Sequence, residues 1–326
     1  MRIGIIGAGA WGTALAQVAA SGGEGVLLWA REPEVIESVN CDHENALFLP
    51  RLPLAPTIQA TGNLAALDAC DALLIVSPAQ HMRSVLAGLP RGDRPLVLCS
   101  KGIEEKTGLM MHDVAHDLQP DAPLAVLSGP TFAHEVAAGL PTAVTLAVED
   151  QQLGERLAAR LARPFFRPYL SDDVAGAEVG GAVKNVLAIA CGVVDGLGLG
   201  LNARAALISR GFAEMSRFGL AKGARAETLA GLAGLGDLVL TCSSVNSRNF
   251  SLGKGIGEGR SAAELLSDRR TVAEGAFTAP VLRRVAAEIG VEMPIVEAVC
   301  GLLDGSLSAR DAVERLLARP LRAEGV

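Results

Sequence analysis

The chain has 326 residues, more than a typical single domain of roughly 100 to 200, and so predicts two domains. Half of the residues are hydrophobic, 20% are charged and only 3% are aromatic, which excludes a disordered chain and leaves Ala, Leu and Val to fill the core. With 36 acids against 29 bases the net charge is -7, which argues against nucleic acid and anionic membranes as partners and means that an anionic ligand needs locally gathered cations.

The N-terminus loosely imitates a secretion signal, with Arg2, an apolar run and then Ala19, Ala20 and Ser21. Gly4, Gly7, Gly9 and Gly12 would break a signal helix, however, and fit a strand followed by a turn. From there β-rich runs at residues 2–6, 25–29, 57–60, 72–76, 95–99, 123–127 and 142–148 alternate with helical patterns, among them 11–20, 81–89 and 109–118. Strand and helix alternating in this way predict an α/β fold, a Rossmann-type, mostly parallel sheet with helices on both faces. Beyond residue 172 the strand signals fade and Ala/Leu-rich segments follow at 180–197, 203–220, 277–289 and 308–317. The expectation is a dinucleotide-binding domain over 1–170 and an all-helical domain over 171–326, ending in a loose tail at 322–326. The apolar stretch 182–201 is interrupted by Lys184, Asn185 and Asp195 and reads as a buried helix, so no membrane insertion is expected. Six scattered cysteines without a C-x-x-C pair read as reduced core residues of a cytoplasmic protein.

Gly7-Ala8-Gly9-Ala10-Trp11-Gly12 matches G-x-G-x-x-G at the first strand-to-helix junction. There glycines permit a tight turn, close approach of backbone to a pyrophosphate, and close packing of helix on strand. At the end of the second strand, Glu32 stands where an acid would bind a ribose 2'-hydroxyl and Arg31 where a cation would receive a 2'-phosphate, so NADP with NAD tolerated is the expected cofactor. Ligands of open parallel sheets bind beyond the carboxyl ends of the strands. That rule selects Ser77, Lys101 and the run Gly129-Pro130-Thr131, the last of which opens a short predicted helix at 132–138. Thr131 reads either as a substrate contact or as a simple helix cap.

In the helical half, Lys184 and Asn185 sit in an otherwise apolar helix. A lysine there either snorkels to water or is buried, its proton affinity lowered by burial and nearby cations until it exchanges protons near neutrality. Asp237 and Thr241 have i, i+4 spacing, and Asp237 is a candidate partner for Lys184. Ser247-Arg248-Asn249 is a compact set suited to a phosphate, with Arg248 able to make bidentate charge-assisted bonds or, alternatively, to pair with surface acids. No metal site is expected: His112 and His116 are four apart but lack the H-E-x-x-H glutamate and a third ligand. A G-x-S-x-G elbow is also lacking, so the chemistry must come mainly from a cofactor.

Taken in order, the blocks GAGAWGTALA (7–16), SGPTFAHEVAA (128–138), GGAVKNVLAIACG (180–192), NARAALISRG (202–211), AGLGDLVLTC (233–242) and SRN (247–249) resemble bacterial NAD(P)-dependent glycerol-3-phosphate dehydrogenase over nearly the whole chain. The resemblance implies reversible reduction of dihydroxyacetone phosphate to glycerol 3-phosphate for phospholipid synthesis, with Lys184 as proton acceptor in the oxidation and a homodimer as the assembly. It further implies substrate contacts from Lys101, Gly129, Thr131, Lys184, Asp237, Ser247, Arg248 and Asn249. Cofactor contacts are implied for Trp11, Arg31, Lys101, Ala133, Arg248, Val272 and Glu274, beside Gly7, Gly9 and Gly12 of the turn. The chain departs from the family pattern at Ala273, where Val is more frequent, at His134, where Lys is frequent, and at Phe250-Ser251, where a basic residue is usual. A hydroxyacid dehydrogenase or ketoacid reductase with a helical second domain is the rival enzyme, and a noncatalytic dinucleotide sensor the rival of another class. The Ser247-Arg248-Asn249 set argues against the first, and the lysine base against the second.

Overall fold

A computed structural model describes residues 1–267 and 273–320. Val272 and the tail at 322–326 lie outside the described residues. The chain divides into two compact units, one made of Met1–Lys101 with Leu109–Ala177, the other of Gly102–Gly108 with residues 178 onward.

The first unit is built on strands β1 (Ile3–Ile6), β2 (Val26–Trp29), β3 (Glu44–Asn45), β4 (Leu49–Pro53), β5 (Ile58–Thr61), β6 (Ala72–Ile75), β7 (Leu96–Leu98), β8 (Leu124–Ser128), β9 (Thr142–Val148) and β10 (Phe166–Ser171). Its helices are α1 (Ala10–Ala20), α2 (Pro33–Glu37), α3 (Ala79–Ala87), α4 (Met111–Leu118), α5 (Ala133–Ala137) and α6 (Gln151–Leu161). Eight strands form one sheet in the order β10-β9-β8-β7-β6-β1-β2-β5. From β5 to β8 all neighbours are parallel, and read from that edge the order is the 3-2-1-4-5-6 of a Rossmann sheet. β1 and β6 are buried along their whole length, as strands covered by helices on both faces must be, which is why their sequences IGII and ALLI are continuously apolar. β9 turns back antiparallel to β8, and β10 runs parallel to β9. All seven predicted strands form. β10 was not anticipated: its sequence FRPYLS carries an Arg, a Pro and exposed Tyr169 and Leu170, because it closes an edge of the sheet and does not pass through its centre.

The second unit contains α7 (Val174–Gly196) from Glu178 onward, α8 (Gly200–Ala221), α9 (Ala226–Leu229), α10 (Asp237–Cys242), α11 (Arg248–Gly257), α12 (Ala262–Leu265), α13 (Glu274–Glu288), α14 (Pro294–Leu303) and α15 (Ala309–Leu317). The short segment Gly102–Gly108 packs with these helices, Arg284 of α13 donating to the Glu105 carbonyl at 2.9 Å. α7 is long and apolar enough to cross a membrane by length and composition, but its most apolar 18-residue window is wholly buried inside the fold. With few aromatics available, the helices approach on glycine. A Cβ on Gly192 of α7 would stand 2.0 Å from the Phe250 carbonyl oxygen, and one on Gly253 of α11 1.9 Å from that of Ile189, so the two backbones touch. Five of the six cysteines are buried and Cys41 is exposed, contrary to its reading as a core residue; it lies in a short π-helical turn at Ser38–Asp42.

Glu214 of α8 is 3% exposed and accepts the backbone N–H groups of Ile295 and Val296 at 2.8 and 3.4 Å, capping α14 from a neighbouring helix. Burial pushes its carboxyl up to about 7, more than the two N–H bonds and Arg217 pull it down, and Glu297 adds to the rise. With a folded value above the ordinary 4.5, the contribution to stability is fully present below pH 4.5 and is lost as pH rises through about 7. Glu214→Gln removes that slope. Between pH 5 and 8 the wild type should lose about 2.5 kcal/mol relative to the variant, a relative Tm shift of roughly 4 °C in thermal melts; parallel Tm curves for the two proteins would exclude the effect.

Candidate active site

The glycine turn lies between β1 and α1, at the point where the strand order reverses. Gly7 has φ 112°, in the left-handed region, and a Cβ there would meet the Val76 carbonyl group at 2.9 Å. Gly12 packs so closely that a Cβ would stand within 1.8 Å of the Gly7 oxygen. Gly9 differs from both, since nothing lies within 4 Å of the place its Cβ would take. Gly9 is also the N-cap of α1 and supplies no side-chain cap, so the first N–H groups of the helix face that open space with the positive end of the helix dipole behind them. The indole N–H of Trp11, in the first turn, is buried with no hydrogen-bond partner among the described residues. An open cradle, uncapped N–H groups and an orphaned donor fit the pyrophosphate of a dinucleotide.

The other strand ends supply polar groups. Beyond β2, Arg31 is exposed and its guanidinium holds the Glu32 carboxylate at 2.8 Å, which explains why Glu32, the N-cap of α2, does not cap it. The two residues expected to read the ribose thus neutralise each other. Beyond β6 and at the last residue of β8, the hydroxyls of Ser77 and Ser128 are buried with no partner among the described residues. Lys101 lies beyond β7, and its Nζ approaches the Gly129 carbonyl at 3.5 Å; the Thr131 hydroxyl donates to the same oxygen at 3.3 Å. Thr131 is therefore not a helix cap: Phe132 occupies that position ahead of α5, whose first residue is Ala133.

In the helical unit Lys184 is only 6% exposed and donates from Nζ to Oδ1 of Asp237 at 2.5 Å, with Asp237 completely buried. Snorkelling is excluded, and the carboxylate at this distance is that of Asp237, the partner the sequence had offered. Asp237 reaches Lys184 because a π-helical turn at Leu232–Gly236 presses against α7, where a Cβ on Gly180 would stand 2.0 Å from the Ala233 oxygen. Thr241, one turn along α10, donates to the Asp237 carbonyl at 2.7 Å and lies 3.4 Å from its Oδ1.

Asn185, the neighbour of Lys184, accepts from Asn249 at 3.0 Å, and Asn249 Oδ1 accepts the Gly275 N–H at 2.9 Å. This chain of amides brings Lys184 of α7, Arg248 of α11 and Glu274 of α13 to one locality. Arg248 is exposed and pairs with no acid among the described residues, so the surface-pairing alternative falls away. Its neighbours are committed to the fold: the Ser247 hydroxyl caps α11 by accepting the Phe250 N–H at 3.2 Å, and Asn249 holds the helices together. Val272, expected at the cofactor, lies outside the described residues. Asn185 and Gly275 carry geometry that local pattern did not assign to them. An open cavity of about 730 Å³ lies at the opposite ends of the strands, between Met1, Asp71, Pro95, Pro123 and Arg160, and none of the candidate residues lines it.

Residues 2–154 match the family NAD-dependent glycerol-3-phosphate dehydrogenase N-terminus, and residues 173–314 match NAD-dependent glycerol-3-phosphate dehydrogenase C-terminus. The chain is 66% identical over 323 residues to the glycerol-3-phosphate dehydrogenase (NAD(P)+) of Erythrobacter litoralis (strain HTCC2594), covering 99% of this chain and 98% of that one. It is similar to the crystal structure of glycerol-3-phosphate dehydrogenase from Coxiella burnetii, with a TM-score of 0.93, 41% identity and coverage of 98% and 99%. A ketopantoate reductase from Ralstonia eutropha JMP134 shares the fold alone, with a TM-score of 0.61 at 17% identity over 96% of this chain and 100% of that one.

The burial of the Lys184–Asp237 pair has a consequence for stability. Removing one partner leaves the other charge buried and uncompensated, at a cost of about 3 to 5 kcal/mol, whereas removing both is far milder. Asp237→Ala should lower Tm more than the double variant Lys184→Met/Asp237→Ala, although the latter carries one change more. Additive losses in thermal unfolding would contradict a coupled pair.

Proposed function

Because the chain belongs to the NAD-dependent glycerol-3-phosphate dehydrogenase family, whose reaction is reversible hydride transfer between NAD(P)H and dihydroxyacetone phosphate, we propose that Lys184 donates the proton in reduction and accepts it in oxidation. The observation that carries this reading is the buried Lys184–Asp237 contact, linked through Asn185 and Asn249 to the exposed cation Arg248.

When bound, the nicotinamide supplies the hydride that reduces the ketone carbon. Lys184 then has two tasks. Its ammonium stabilises negative charge as it grows on the former ketone oxygen, and it transfers a proton to that oxygen, becoming a neutral amine. Asp237 keeps Nζ in one orientation and favours return of the proton from solvent before the next turnover. Arg248 binds the substrate phosphate by charge-assisted hydrogen bonds, helped by Ser247 and Asn249. Lys101, Gly129 and Thr131, already gathered on one carbonyl, complete the substrate contacts in this reading. The cofactor is held by Gly7, Gly9, Trp11 and Gly12, by Arg31 once it leaves Glu32 for a 2'-phosphate, and by Lys101, Ala133, Arg248 and Glu274. Val272 joins this set on the resemblance alone.

The finer reading extends to a cytoplasmic enzyme that feeds glycerol 3-phosphate to phospholipid synthesis and acts as a homodimer. Support for the dimer comes from α8, whose first eleven residues include Leu201, Leu207 and Ile208 and none that is buried. Sedimentation as a single 33.6 kDa species would remove it.

An assay at the reduced-nicotinamide absorbance band separates the proposed roles. Lys184→Met should lower kcat by about 10²- to 10⁴-fold with little change in cofactor affinity. Arg248→Ala should reduce kcat/KM for dihydroxyacetone phosphate by about tenfold to a hundredfold or more, and spare the already poor turnover of unphosphorylated dihydroxyacetone. Equal losses on both substrates would take Arg248 out of the phosphate site, and near wild-type kcat in Lys184→Met would end its role as proton donor.

A further inference from the structure

Between β2 and β5 the chain makes an excursion through residues 38–55 that contributes nothing to the main sheet. It is nevertheless firmly attached. The Asn40 amide exchanges two hydrogen bonds with the backbone of Ala60 on edge strand β5, at 3.0 and 2.8 Å. Gln17 of α1 accepts the Ala55 N–H at 2.8 Å. Between these anchors sits Asn45, completely buried. Its Nδ2 donates to the Ala8 carbonyl at 2.8 Å and to the Thr13 hydroxyl at 2.8 Å, and its Oδ1 accepts the Phe48 N–H at 3.0 Å. Both amide hydrogens and the carbonyl oxygen are used, a combination that only a primary amide offers.

The bond to Ala8 bears on the glycine turn. Every peptide bond here is trans, so within the Ala8–Gly9 unit the C=O and N–H point in opposite directions. Holding the carbonyl on the Asn45 side turns the Gly9 N–H the other way. A glycine on one side of this peptide lowers the barrier to its rotation, and the reversed peptide would present an oxygen to any anion bound at the turn. We propose that Asn45 is a positioning residue for the cofactor: its buried amide fixes the Ala8–Gly9 peptide so that the Gly9 N–H, and not the Ala8 carbonyl, faces the pyrophosphate. This rests on the reading that the Gly7–Gly12 turn holds the dinucleotide. Asn45 touches neither cofactor nor substrate and acts through the backbone alone.

Asn45→Asp is nearly isosteric, keeps the acceptor for Phe48 and sets a carboxylate against the Ala8 carbonyl; Asn45→Ala removes all three bonds. Both should weaken NADPH binding to the otherwise unliganded enzyme by about tenfold or more, with Asn45→Asp the worse, while kcat at saturating NADPH and KM for dihydroxyacetone phosphate stay within about threefold. The chain has only two tryptophans, and Trp11 is in this turn, so its emission without cofactor should shift in the Asn45 variants. Asn40→Ala, which loosens the same excursion at its outer anchor, should lower Tm and leave NADPH affinity within about twofold. Wild-type NADPH affinity in Asn45→Asp, or losses in kcat, both KM values and Tm that run in proportion, would overturn the proposal. Gly9→Ala distinguishes the two levels. If it binds NADPH normally the turn is not the cofactor site, whereas impaired Gly9→Ala beside normal Asn45 variants defeats only the role of Asn45.

Discussion

The helical unit is organised around a charge that has to be buried. An ammonium inside a 23-residue apolar helix is tolerated only with a partner, and the close approach at Gly180 serves to deliver one. Gly180 admits the π-helical turn that carries Asp237, Thr241 steadies Asp237, and Gly192 with Gly253 lets α11 lie against α7 closely enough for Asn249 to reach Asn185. Replace any of these glycines with a larger residue and backbone atoms collide, so the geometry of the ion pair and the packing of the helices are one constraint.

Composition and function meet in that packing. A chain with 3% aromatic residues cannot space its helices with large rings and instead brings backbones into contact on glycine and alanine. Closely packed backbones resist deformation, which suits the proposed role of Lys184 as a proton donor that must be held in place. The exposed Arg248 is free of such constraints. Its neighbours Ser247 and Asn249 are locked into a helix cap and an interhelical amide chain, which leaves an exposed cation on a fixed base.

The Rossmann unit uses backbone where the helical unit uses side chains. Its glycine turn offers N–H groups and an open space, and the walls around that space come from elsewhere in the sequence: Val76 and Ser77 beneath Gly7, and Asn45 behind Ala8. Lys101 and Thr131 converge on the Gly129 carbonyl in the same way, from residues far apart in the chain brought together at the ends of β7 and β8.

The sequence by itself determined the α/β class, seven strands of the alternating region, the helical segments that became α7, α8, α13 and α15, and the location of the glycine turn, because each is written in local periodicity or in a contiguous motif. It also made Lys184 conspicuous, since one cation in an apolar helix stands out without any knowledge of contacts. Tertiary structure alone decided the rest. β10 was missed because an edge strand carries no apolar run, and Cys41 was misplaced because its exposure depends on an irregular turn. Asp237 was only one candidate partner for Lys184 until the turn at Leu232–Gly236 fixed it there, and Arg31 and Glu32 proved to be each other's partner. Asn45 was invisible, the two partners of its amide nitrogen lying 32 and 37 residues away along the chain. Periodicity records which face of an element is buried. It holds no record of which distant polar atom a buried side chain will meet, and the chemistry of this protein is built from such meetings.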